Sequence, residues 1–115
     1  MAYPSTLDFL ESFGIEPTEV DSSIAMSRYL VKSGTSGVVF DFSFSEIMNS
    51  FQVSMCLGNQ VLATLSSEGV ETIDIFHDPQ ADGIRIRFNI DNSLAHARLT
   101  LSPDINLHWS ILCNT

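Results

Sequence analysis

The chain has 115 residues, 44% of them hydrophobic and 17% charged, and 14 acidic against 5 basic residues leave a formal charge of −9. That balance excludes a disordered chain and sets the surface against nucleic acid phosphates and anionic lipid headgroups, while favouring basic protein partners. The length predicts a single domain over residues 1–115 with one core. No apolar run approaches the ~20 residues that a membrane-crossing helix needs. Met1 to Gly14 carries no basic stretch and is interrupted by Pro4, Asp8 and Glu11, so no secretory signal is read there and a cytoplasmic location is expected.

The first element predicted is a helix over about residues 6–13. Ser5 stands as N-cap with Asp8 three residues on, an acidic variant of the capping box, and Gly14 supplies the stop. Leu7, Leu10 and Phe13, with Phe9 beside Leu10, form its apolar stripe. Residues 15–21, with Pro17 inside, read as a connector. Thereafter the apolar period is two, the signature of half-buried strands. Ile24, Met26 and Leu30 predict a strand over residues 23–31; the competing reading is a helix capped by Asp21 and stopped by Gly34. Further alternating runs are Val38–Phe44, Phe51–Leu57, Val61–Leu65, Ile73–Ile75, Ile84–Ile90, Ala95–Leu101 and Ile105–Ile111. Turn residues separate them, at 34–37, 58–59, 67–69, 78–83, 91–92 and 103–104. About eight strands, from residue 23 to about 112, predict a mainly β antiparallel sandwich or strongly curled sheet, with the helix over one open edge or end.

Register follows from one assumption, a two-residue loop at Asp91-Asn92. Ile90 then faces Ser93, Phe88 faces Ala95, Ile86 faces Ala97 and Ile84 faces Leu99, which gathers the large apolar residues on one face. The other face receives Arg85 opposite Arg98 and Arg87 opposite His96. Three of the five basic residues thus share a patch, and pairing Ile75 with Ile84 brings Asp74 opposite Arg85. Like charges across a sheet repel, so the patch is expected either to be neutralised by a surface ion-pair ladder built on Asp74, or to serve as an anion site made of Arg85, Arg87, Arg98 and His96.

No constellation for catalysis is legible. His77, His96 and His108 fall on different segments without HExxH or HxH spacing, no GxSxG elbow occurs, and the glycines are scattered one per turn. Cys56 and Cys113 have no metal or CxxC spacing and read as free thiols in the interior. Neither a metal nor another cofactor is expected. Trp109 alternates in step with Leu107 and Ile111 and reads as a core anchor of the last strand. The connection from His77 to Gly83 is too long for a tight hairpin. Carboxylates at or near strand ends, namely Asp78 and Asp82 and then Glu46, Asp91 and Asp104, are the candidate contacts to a basic partner if they gather on one rim.

The segments GVVFDFSF (Gly37–Phe44), LSSEGVETIDIF (Leu65–Phe76), GIRIRFNID (Gly83–Asp91) and LSPDINLHW (Leu101–Trp109) cover most of the chain. In these the sequence resembles the small immunity proteins of bacterial contact-dependent growth inhibition and related polymorphic toxin systems. The resemblance implies a non-enzymatic inhibitor that binds a cognate toxin domain one to one, a basic nuclease whose active site it covers with carboxylates in place of phosphates. Two alternatives belong to other classes: a β-sandwich binding a small anion or a carbohydrate through the arginine patch, and a structural subunit of a larger assembly.

Overall fold

A computed structural model of the chain describes residues 3–91 and 93–112. It opens with α1 (Thr6–Phe13), capped as the sequence predicts. Asp8 N donates to Ser5 Oγ at 3.1 Å, Ser5 N donates to Asp8 Oδ2 at 2.8 Å, and Gly14 takes the left-handed conformation that ends the helix. Its buried face differs from the expected one. Phe9 is fully buried, whereas Leu7 and Leu10 are 59% and 42% exposed. Phe9 stacks on Tyr29 with ring centroids 4.4 Å apart and on Phe44 at 5.7 Å. The sheet beneath offers an aromatic floor, and in one short helix only the Phe9 side can meet it.

Nine strands follow among the described residues: β1 (Glu19–Asp21), β2 (Met26–Lys32), β3 (Val39–Ser45), β4 (Ser50–Leu57), β5 (Gln60–Ser67), β6 (Val70–His77), β7 (Asp82–Ile90), β8 (Ser93–Ser102) and β9 (Asn106–Leu112). They form two antiparallel sheets, β1 to β5 and β6 to β9, each a meander in sequence order, with no closed barrel. Two boundaries differ from the sequence reading. The connector over 15–21 contains β1, whose Glu19 pairs with Arg28. The strand predicted from residue 23 begins at Met26, because Asp21 Oδ1 accepts from Ser23 N at 3.0 Å and caps a single 3₁₀ turn over Ser22–Ile24. Asp21 is thus the cap that the helical alternative required, but only one turn forms, and Ala25 ends it with φ of 48°. The buried phase is also the opposite of the expected one. Tyr29 is 1% exposed with Val31 packed beside the core, whereas Leu30 of the expected Ile24, Met26 and Leu30 row is 46% exposed, because the inner face is set by pairing Tyr29 with Phe42.

The register deduced from the sequence is the observed one. Phe88 pairs with Ala95, Ile86 with Ala97, Ile84 with Leu99 and Ile90 with Ser93, and Ile75 pairs with Ile84. Asn92 of that hairpin lies outside the described residues, as does Cys113. In the other sheet Tyr29, Phe42 and Val53 form one buried row, next to Phe44 and Phe51. The two inner faces meet in one core. Trp109 bridges them as the predicted anchor, 4.9 Å from the Phe88 ring and 6.4 Å from Phe51, but Ile111 at the sheet edge is 56% exposed. Cys56 is half-buried, paired in register with Val39 and Val61 rather than packed in the core.

Tyr29 is 1% exposed and its hydroxyl has no hydrogen-bond partner among the described residues; burial pushes its pKa up to about 12. A folded value above the unfolded one stabilises fully below pH ~10 and is lost as pH rises from there toward 12. At pH 11 the expected loss is about 1.4 kcal/mol, one pH unit above the unfolded pKa. Tyr29→Phe should remove Tyr29's share of the alkaline loss, leaving that of Tyr3, whose pKa burial likewise raises to about 12. It should be neutral or stabilising at pH 7, since it deletes a buried hydroxyl without a partner among the described residues. Urea midpoints of the two proteins between pH 8 and 11 check this; parallel curves would refute it.

Candidate functional site

The outer face of the β6–β9 sheet carries the cations. Across its four strands runs one row of Asp74, Arg85, Arg98 and His108, and beside it a row of Thr72, Arg87, His96 and Ser110. Phe76, two residues beyond Asp74, also points outward, yet it is only 5% exposed. The Arg98 guanidinium lies 4.2 Å from its ring centroid and that of Arg85 lies 5.4 Å away. Stacking over the aromatic face offsets part of the repulsion between these two arginines. Opposite Phe76 the chain has Gly83 at a bulge, where a Cβ would collide with the Leu99 carbonyl. Asp74, Arg85, Arg87, His96, Arg98 and His108 of these rows line a depression of about 600 Å³.

The ion-pair ladder built on Asp74 is not what neutralises this face. Asp74 stands opposite Arg85 in register, but among the described residues no carboxylate comes within 4 Å of Arg85 or Arg87. The ion pair present joins Arg98 Nη2 to Asp78 Oδ2 at 2.6 Å. Asp78 is prepared for it by its own loop: Oδ1 accepts from Gln80 N at 3.0 Å and Ala81 N at 2.8 Å, and these bonds, then Arg98, hold its carboxyl below the usual range. The strands zip up to His77 and Asp82, so the connection is a four-residue loop over 78–81 rather than the seven-residue one expected. Asp74→Ala is therefore expected to change unfolding free energy by well under ~1 kcal/mol, as removal of an exposed unpaired carboxylate should. A loss above that in urea titration would mean that Asp74 holds Arg85 after all.

The five candidate carboxylates do not share a rim. Asp78, Asp82 and Asp104 lie at one end of the sandwich, and each is engaged. Asp82 Oδ1 is 2.8 Å from His77 Nδ1. Asp104 Oδ2 accepts from Thr35 Oγ1 at 2.8 Å and from the buried Ser33 Oγ at 3.1 Å, tying the β8–β9 loop to the β2–β3 loop. The Thr35 hydroxyl first, then the Ile105 N–H and Ser33, hold the Asp104 carboxyl below its usual range.

Glu46 and Asp91 sit at the opposite end. Here backbone bonds stitch three turns together: Val70 N donates to Asn49 O and Asn89 N to Gly69 O, each at 3.0 Å. Gly69 permits this approach, with φ of 74° and no Cβ to strike the Asn89 carbonyl at 2.7 Å. Glu68 lies in the β5–β6 turn at this same end, and none of Glu46, Glu68 and Asp91 makes an ion pair among the described residues. At this end the β3–β4 turn also raises Ile47 and Met48, 61% and 56% exposed. Sequence reasoning missed this pair. The available signal was two large apolar side chains inside the turn between the Phe44 and Phe51 strands, where polar residues are the rule.

Among the described residues no group of three His, Cys, Asp or Glu could hold a metal ion, and no helix is long and apolar enough to cross a membrane.

No family model matches the chain, and neither does any curated protein. Among solved structures it is similar to a chain of the "Contact-dependent growth inhibition toxin - immunity protein complex from Klebsiella pneumoniae 342". The two share 24% identity and superpose with a TM-score of 0.86 over 96% of each chain, so what the nine strands and the helix share with that chain is the whole fold.

Proposed function

We propose that this chain is an immunity protein of the contact-dependent growth inhibition type, which binds a cognate toxin domain in the cytoplasm and neutralises it. The observation that carries the reading is the fold shared, end to end, with a chain of a toxin–immunity complex. Of the two roles in such a complex the inhibitor suits this chain, with its formal charge of −9 and no catalytic motif in its sequence. The charge further favours a basic toxin, a nuclease whose phosphate-binding surface these carboxylates cover without any chemistry of their own. The end of the sandwich that carries Glu46, Glu68 and Asp91 together with Ile47 and Met48 is the surface we assign to it. Exposed apolar anchors on the same end as carboxylates that make no ion pair among the described residues give both slow dissociation and fast encounter. Asp78, Asp82 and Asp104, already bonded within the chain, would contribute long-range attraction at most.

The test is co-expression with the product of the adjacent upstream gene. That product should be toxic alone, harmless with this chain present, and co-purify with it. Raising salt from 0.05 to 0.5 M, which contracts the Debye length from roughly 14 Å to roughly 4 Å, should slow association far more than it speeds dissociation. A gene product that is harmless alone, or that stays toxic and unbound, refutes the reading.

A further inference from the structure

We propose that the outer face of the β6–β9 sheet is a second docking surface, one that receives a short acidic segment of the same toxin partner; the partner's identity rests on the functional reading above. In a chain of charge −9, Arg85, Arg87 and Arg98 and the imidazoles of His96 and His108 converge on one face. The sheet sets Arg85 directly opposite Arg98, two like charges that repel unless an anion intervenes, and places His96 opposite Arg87. Within the described residues the compensation is incomplete: Asp78 reaches Arg98, and nothing reaches Arg85 or Arg87. Phe76 meanwhile fixes two of the guanidinium groups by stacking, so little side-chain freedom remains to be lost on binding.

Geometry selects the kind of anion. The cations stand in two rows two residues apart along the strands, a separation of about 6.6 Å, and the face spans about 14 Å from β6 to β9. They do not converge on a point, as a site for one free phosphate would require. An extended segment lying along the strands presents alternate side chains at that same separation, so carboxylates two residues apart meet both rows. A long nucleic acid is disfavoured. Its backbone would run past the depression onto Asp78 and Asp82 at one end or Glu68 and Asp91 at the other, whereas a short segment ends inside the cationic rows.

The experiment titrates the isotope-labelled chain with a triglutamate peptide at low ionic strength and follows backbone amide shifts. Shifts confined to β7 and β8 around Arg85, Arg87, His96 and Arg98 are expected, together with their disappearance in R85E/R87E. R85Q/R87Q, which keeps side-chain bulk, should weaken binding at least tenfold with an unchanged melting temperature. Absence of shifts on this face, shifts unaltered in both variants, or an equal response to inorganic phosphate at tenfold lower concentration would overturn the proposal. Against the product of the adjacent gene, R85E/R87E should bind at least tenfold more weakly than the native chain. Unaltered binding by the variant sinks this assignment alone, whereas failure of the native chain to bind sinks the functional reading and with it the toxin as the source of the segment.

Discussion

Phe9→Ala should lower the unfolding free energy by about 3–5 kcal/mol, the range for emptying a buried phenylalanine site. Phe9 is fully buried, and its ring lies within 6.3 Å, centroid to centroid, of Tyr29, Phe42, Phe44 and Phe13. It is also the one fully buried residue of an eight-residue helix, which is too short to be stable without tertiary packing. The cavity left by alanine would be lined by aromatic rings that are themselves held by the sheet, so collapse around it is limited. Loss of Phe9 is therefore expected to release the helix as well as open the core. In urea the midpoint should fall with little change in slope, while Leu7→Ala, at a 59% exposed position, should move it by less than a quarter as much. Equal effects at the two positions would mean that the helix is held by its Leu7 and Leu10 face, contrary to the packing described.

The second large effect concerns binding. Replacing Ile47 and Met48 together by Asp is expected to cost at least about 2 kcal/mol of affinity for the adjacent gene product, a factor of 30 or more, chiefly through faster dissociation. Both side chains are more than half exposed in the free chain, so folding gains little from them and the melting temperature should stay within a degree or two. Charge reversal at Glu46, Glu68 or Asp91 singly should instead act on the association rate and its salt dependence. Surface-bound kinetics of the native chain and these variants separate the two behaviours. Affinity of the double variant within twofold of the native value would remove this end of the sandwich from the interface.

Period-two alternation in the sequence already determined much of this fold. From Val39 to Leu112 most strands are alternating runs bounded by turn residues. The departures are β5, where Val61 and Leu62 are both exposed, and β6, which buries Val70, Ile73 and Phe76. One two-residue loop was enough to align Arg85 with Arg98 and Arg87 with His96. Such features are local, or follow from pairing neighbours in sequence, and a slip of one residue would have turned every large apolar side chain outward. The helix was legible for the same reason, since its cap is made by residues three apart.

What lay beyond the sequence is what depends on non-neighbours. Whether the helix buries Phe9 or its Leu7 and Leu10 stripe was decided by the aromatic row of Tyr29, Phe42 and Phe44 in strands that follow it. Asp78 rather than Asp74 neutralises Arg98 because a loop fold, set by its bonds to Gln80 and Ala81, swings that carboxylate over the sheet. Asp78, Asp82 and Asp104 are parted from Glu46 and Asp91 because antiparallel strands put successive turns at opposite ends. At the second end the bonds of Val70 to Asn49 and of Asn89 to Gly69, which Gly69 allows, join the two sheets. Charges far apart in sequence interact through space, so only the packed sheets decide which of them meet.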